Sequence, residues 1–163
     1  MKIKYYLVIA LIFTLSLSCT KTSRTDQPMP DIGIPSTEFN TKIQLTVPET
    51  INTFKTKESI NLVIKVISSD QIWFKSDYGV RLFVYEDAKW DEVGNDENYP
   101  TGNIILSPAD NDAFKNGATV IWPRLPDSTK PVTIRIILVG NVYRDGKMTN
   151  EVTAGYIDVN LKP

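Results

Sequence analysis

Few residues of this chain could do chemistry, and the missing ones are as informative as those present. There is no histidine in 163 residues, which removes the commonest general base and the commonest imidazole metal ligand. The single thiol is Cys19, so no intramolecular disulfide can form, and a lone cysteine in an exported chain asks for another purpose. Carboxylates remain. Glu86, Asp87, Asp91, Glu92, Asp96 and Glu97 lie within twelve residues, opposed only by Lys89, and Asp110 and Asp112 follow. Calcium needs hard oxygen ligands of this kind, which makes Asp91, Asp96, Asp110 and Asp112 the candidate metal ligands. Their spacing matches no EF-hand loop, and a solvated acidic loop is the plainer expectation.

Catalysis finds no constellation. Ser-His-Asp and Cys-His sites cannot be assembled, and no P-loop, Rossmann glycine pattern or zinc spacing is present. A glycosidase-type carboxylate pair needs only Asp and Glu, but a small β domain with short loops rarely encloses such a cleft. The expectation is a protein that is not an enzyme. Flat aromatic rings offer a binding chemistry instead. Trp73-Phe74, Trp90, Tyr99 and Trp122 fall near turns, and Trp90, set among acids, is the candidate for an exposed ring that stacks on a carbohydrate. Trp122 ends an apolar run and reads as core.

These residues sit on a chain with three parts. Residues 1–18 carry Lys2 and Lys4, an apolar run over 5–13 and small residues after it, the layout of a secretory signal peptide. The apolar stretch is shorter than the ~20 residues that a membrane span needs. Removing it leaves 16 basic and 19 acidic residues, a net charge of −3. That balance offers no basic patch for a phosphate backbone, so nucleic acid is not an expected partner.

Ser16-Leu17-Ser18-Cys19 resembles the lipobox of bacterial lipoproteins, with Ser16 where leucine is more usual. The resemblance covers only the first ~20 residues. It implies that Cys19 becomes the mature N-terminus and carries a thioether-linked diacylglycerol with further, palmitate-type acylation, since two or more chains anchor stably where one does not. The domain would then stand outside the cytoplasm on a bacterial membrane. Thr20 and Lys21 lack the aspartate that resembles an inner-membrane retention signal. Residues 19–38, with Pro28, Pro30 and Pro35, read as a semi-extended tether. At about 3.1 Å per residue, ~20 such residues reach about 60 Å.

From Phe39 to Pro163 the pattern has period two, broken by Pro, Gly, Asn and Asp, with no convincing helical stretch. Seven strands are expected, over 43–47, 60–67, 79–85, 103–106, 118–122, 132–143 and 152–161. Asp145-Gly146 favours a hairpin between the last two, through a loop expected to exceed two residues. Seven short antiparallel strands imply an all-β two-sheet sandwich. The pattern resembles the immunoglobulin and fibronectin type III class, without the Cys…Trp…Cys signature; a closed barrel or jelly roll is the alternative.

Strand parity makes the sharpest expectation. If Ile134, Ile136 and Leu138 face the core, then Arg135, Ile137, Val139 and Tyr143 face out, as do Arg81, Phe83 and Tyr85 in 79–85. Pairing these strands in one sheet gathers Phe83, Tyr85, Ile137, Val139 and Tyr156 into an apolar outer face, where a one-sided sheet should be polar. Such a patch marks a contact surface for an envelope or extracellular protein, unless the tether covers it through Ile32 and Ile34. The expected function is therefore a membrane-anchored, non-enzymatic binding or scaffolding module. Two other readings are a carbohydrate-binding module and a proteinase inhibitor. The latter follows from 60–67, Trp73-Phe74 and a later Trp, which resemble small bacterial β-sandwich inhibitors but identify no reactive loop.

Overall fold

The computed structural model describes residues 27–47, 53–55, 58–95, 102–108, 117–121, 123–125 and 130–163. Cys19, Asp96, Tyr99, Asp110, Asp112 and Trp122 lie outside them. Within them the protein is all-β. The strands are β1 (Ile43–Thr46), β2 (Thr53–Lys55), β3 (Ile60–Val66), β4 (Gln71–Phe74), β5 (Arg81–Glu86), β6 (Lys89–Val93), β7 (Ile104–Leu106), β8 (Gly117–Ile121), β9 (Val132–Arg144) and β10 (Lys147–Lys162). All seven expected strands are present, and β2, β4 and β6 are additional. These three are short, and β6 hides its alternation behind charge, with Trp90 and Val93 its only large apolar residues.

The strands form two sheets that do not close into a barrel. The smaller has the order β1-β3-β8, and the larger runs β2-β10-β9-β4-β7 with β5 and β6 joined to β9 as well. Every pairing is antiparallel except β10 with β2. One core lies between the sheets. Ile43, Ile60, Leu62, Ile64 and Ile121 from the smaller sheet meet Ile72, Phe74, Leu82, Ile134, Ile136, Leu138 and Val159 from the larger. The sheets approach so closely at Gly155 that a Cβ there would stand 2.7 Å from Ile43, a position that only glycine fills without displacement.

Strand β9 is the spine, and its two edges are used differently. Strand β10 pairs from Lys147↔Arg144 to Leu161↔Val132, with one register shift between Met148 and Val152. The turn between them is Asp145-Gly146, with φ of 52° and 74°. Both central residues are left-handed, the type I′ geometry of a two-residue hairpin, so the connection is tighter than expected. The opposite edge is shared: β5 takes Ile137 to Thr133, and β4 takes Val142 and its neighbours. Chain 73–81 advances eight residues while β9 advances four, from Asn141 to Ile137. The surplus becomes a raised turn at 75–80, closed by Tyr78 N–H to the Lys75 carbonyl and Val80 N–H to the Asp77 carbonyl. Tyr78 and Gly79 both have positive φ, 54° and 59°. A Cβ on Gly79 would lie 2.4 Å from the Val139 carbonyl oxygen, so this turn is seated directly on the spine. The turn joins β4 to β5, the strands that flank the two halves of the larger sheet's outer face, and its Tyr78 and Val80 pack inward on the core.

Candidate functional site

Parity places the expected outer-face residues as the sequence implies. Cross-strand partners point the same way, and Phe83↔Arg135, Arg81↔Ile137, Tyr156↔Ile137 and Ala154↔Val139 put all of them on one face. The expectation that this face is open does not hold. Phe83 is 4% exposed and Ile137 fully buried, because they form a second core with Phe39 and Ala154, roofed by Met29, Ile32 and Ile34. Tyr85, Val139 and Tyr156 are half-buried at its margins. The chain is therefore seated on the domain from Pro28, ahead of the boundary expected at Phe39. It lies there as a strap, bent at residues 32–34 and ending in a 3-10 turn over Ser36–Glu38. Among the described residues its only ladder contact is the parallel bridge Phe39↔Ala154, reinforced by Asn40 N–H to the Ala154 carbonyl and Tyr156 N–H to Asn40 Oδ1, both 2.8 Å.

A buried arginine latches the other end of the strap. Arg135 faces outward yet is 1% exposed. Its guanidinium makes a fork-like pair with Asp158, Nε to Oδ1 at 2.7 Å and Nη2 to Oδ2 at 2.8 Å. It lies 4.4 Å from the Trp90 ring centroid and 4.7 Å from that of Tyr156. Its third edge donates to the Pro28 carbonyl at 3.2 Å, and the Trp90 indole N–H donates to the same oxygen at 2.5 Å. Arginine suits this place because its planar fork pairs a carboxylate while its faces stack on aromatics. Trp90 is thus not the free stacking ring expected. Tyr85 leans on it at 4.9 Å, Arg135 occupies its π system, and its donor is spent.

As far as Val93 the acidic stretch is likewise not an open loop. Residues 86–89 form a two-residue type I′ turn with Asp87 and Ala88 at φ 49° and 63°, and β6 carries the acids back along β5. Glu92 faces outward and pairs with Arg81 at 2.7 Å; this hydrogen-bonded guanidinium pulls its pKa down. Asp91 pairs with Lys89 at 2.9 Å on the opposite side. Alternation splits the acids between two faces, and among the described residues no group of three or more could hold a metal ion. Of the proposed ligands only Asp91 is described.

Past the strap, toward β4 and β7, the outer face is more open. A cleft of about 510 Å³ is walled by Ile32 and Ile34 of the strap on one side and by Lys75, Asp77 and Gly79 of the turn on another, with Trp73, Val139, Asn141 and Val152 beneath. Rows of cross-strand partners extend it: Ile105↔Trp73↔Asn141↔Val152, and Gln71↔Tyr143↔Met148 beside it. Among the described residues four large apolar side chains are exposed: Ile67, Ile105, Met148 and Val152. Three of them, Ile105 (42%), Met148 (50%) and Val152 (38%), belong to this half. Sequence reasoning missed this half, although Trp73 and Ile105 were readable: each alternates against a core neighbour, Phe74 and Leu106.

The end of the sheet beside this cleft is fixed by charge. Asp70 accepts from Lys42 at 2.6 Å and from Arg144 at 2.9 and 3.0 Å, while Glu151 meets the same two cations at 3.2 and 3.1 Å. The Arg144 guanidinium, and then the Lys42 ammonium, hold the Asp70 carboxyl down at about 2. From the turn itself, Tyr78 tucks its ring edge-on against Phe74 at 5.5 Å, and burial pushes its phenol pKa up.

No family model matches the chain, and no curated protein matches it. No helix among the described residues is long and apolar enough to cross a membrane.

Proposed function

We propose that this chain is a lipid-anchored, non-enzymatic binding module of the bacterial envelope, that its sandwich is of the immunoglobulin class, and that it docks a protein partner on the open half of its outer face. The observation that carries the docking is the gathering of Ile105, Met148 and Val152 around Trp73 on one sheet surface. A soluble domain scatters single apolar residues, whereas a contiguous group with an aromatic centre marks an interaction surface. The envelope reading rests on residues 1–19, with Cys19 as the lipidated residue.

Two experiments test it. Photo-crosslinking residues placed at Ile105, Met148 and Ile67 in intact envelopes should give one common adduct from the first two positions and none from Ile67, which lies beyond the smaller sheet's β3. Adducts from all three, or from Ile67 alone, would move the site. Cys19→Ser should release the protein from the membrane pellet, and retention there would count against the anchor. A second reading, glycan binding, passes from Trp90 to Trp73, the ring that lies in the cleft with Asn141, Asp77 and Lys75 around it. A glycan array with wild type beside Trp73→Ala separates it from protein docking.

A further inference from the structure

The second core is built apart from the first. Its floor, Phe83, Ile137 and Ala154, belongs to the larger sheet, and its roof, Met29, Ile32 and Ile34, belongs to the strap together with Phe39. No strap residue is a member of the core between the sheets. The sandwich therefore keeps its main core when the strap is away, which is the condition for local opening.

The charges permit the same separation. Arg135 is buried, but its counter-ion Asp158 and its two stacked rings, Trp90 and Tyr156, all lie on the sheet. The strap supplies only neutral acceptors, the Pro28 carbonyl and the Met29 sulfur, the latter 3.1 Å from Nη1. Lifting the strap leaves no charge without its partner, so the large penalty for splitting a buried ion pair does not arise.

Just past the strap the attachment changes in kind. The Lys42 carbonyl accepts from the Ile67 N–H at 2.9 Å, and its ammonium is held between Asp70 and Glu151 at 2.6 and 3.2 Å. Strand β1 follows, laddered to β3 over four pairs, with Ile43 fully buried in the main core. A light seat over residues 28–41 thus ends at a firm one. The lightly seated part is also folded short, with bends at 32–34, the 3-10 turn over Ser36–Glu38, and Asn40 left-handed at φ 58°.

We propose that the strap is a releasable length of tether: a pull on the chain ahead of Pro28 lifts residues 28–41 from the sheet as one unit and stops at Lys42, with the sandwich intact. The load enters at the Pro28 latch, so the contacts part in turn from that end rather than together. Fourteen residues, 28–41, then straighten and add up to about 50 Å of reach. The charged end of the sheet, which grips Lys42, is the stop. In the cell the pull comes through the lipid proposed at Cys19, and release of the strap is independent of that reading and of docking.

The test stretches the full chain in optical tweezers, with handles at the Cys19 thiol and at Pro163. One early, reversible step of no more than about 50 Å is expected, well before residues 42–163 unfold and extend by about 400 Å. Ile34→Ser, on the strap, should lower the force of the first step and leave the second unchanged. Absence of the early step would overturn the proposal, and so would a longer one, which would mean that β1 leaves with the strap. Hydrogen exchange needs no variant. The Asn40 and Tyr156 amides, which pin the strap, should exchange together and at least tenfold faster than the amides of β9. Equal protection would show that the strap parts only when the whole domain unfolds, and would also overturn the proposal. Membrane release of Cys19→Ser is a separate result: it decides where the pull comes from, while the step and the exchange rates decide whether the strap releases.

Discussion

The two halves of the outer face share strand β9 and an apolar, aromatic composition, yet one is sealed and the other open. On the sealed half, Phe83 and Ile137 are as buried as the residues between the sheets, and an arginine is buried with them. On the open half, Ile105, Met148 and Val152 of the same parity stand 38–50% exposed. The strands are not what differs. The strap packs at Val139 and returns to Phe39, leaving the part of the sheet under β4 uncovered. Whether an outward apolar residue is core or surface is thus decided by chain lying outside the sheet, not by the alternation within it.

That comparison can be broken from the sealed side first. Ile137→Ser or Phe83→Ser removes the floor of the second core and should cost about 3–5 kcal/mol, read as a lowered urea midpoint or loss of folded protein. Arg135→Ala leaves Asp158 facing the sealed half without its fork and releases the Pro28 carbonyl. The expected cost is about 2–4 kcal/mol, with new protease cleavage confined to residues 27–39. Arg135→Lys, which keeps the charge but not the fork, should lie between the variant and wild type.

Gly79→Ala, in the raised turn, combines positive φ with a clash against the Val139 carbonyl and should cost about 2 kcal/mol. The charged end of the sheet is sharpened by pH. The Asp70 carboxyl sits at about 2 in the folded protein, below its usual value of 3.8. Its contribution is therefore complete above about pH 4 and is lost as pH falls through 2. Asp70→Asn should flatten acid unfolding in that window, and salt should weaken the wild-type effect. Last and smallest, Ile105→Ser and Val152→Ser on the open half should change stability by no more than about 0.5 kcal/mol, while removing the crosslinked partner.

The long strands were legible because their alternation is uninterrupted. In β9 every even residue from Val132 to Val142 faces the core, so the outward set followed at once. Length alone did not decide which strands escaped, since β1, β7 and β8 are as short as β2, β4 and β6; β6 escaped because it wears charge on both faces. Of the acidic residues, those described up to Glu92 are placed in a way the sequence order did not convey, while Asp96, Asp110 and Asp112 lie outside the described residues. As a list Glu86, Asp87, Asp91 and Glu92 form a cluster, but a two-residue turn returns the chain as a strand, where neighbours point apart. Arg135 looked solvent-facing because parity reports direction and not cover. Its cover comes from Trp90, Tyr156 and Pro28, the last of them 107 residues away in sequence, a distance no local pattern spans.

Seating the strap also shortens the leash. With the chain fixed to the sheet from Pro28, and Cys19 anchored as proposed, fewer than ten residues separate bilayer from domain, against the twenty that composition alone would allot. Fully stretched at about 3.3–3.6 Å each, they reach roughly 30 Å. A partner in the same membrane would then meet this domain within a thin shell, at a local concentration on the order of millimolar. Under such confinement even a weak contact on the open half would stay occupied.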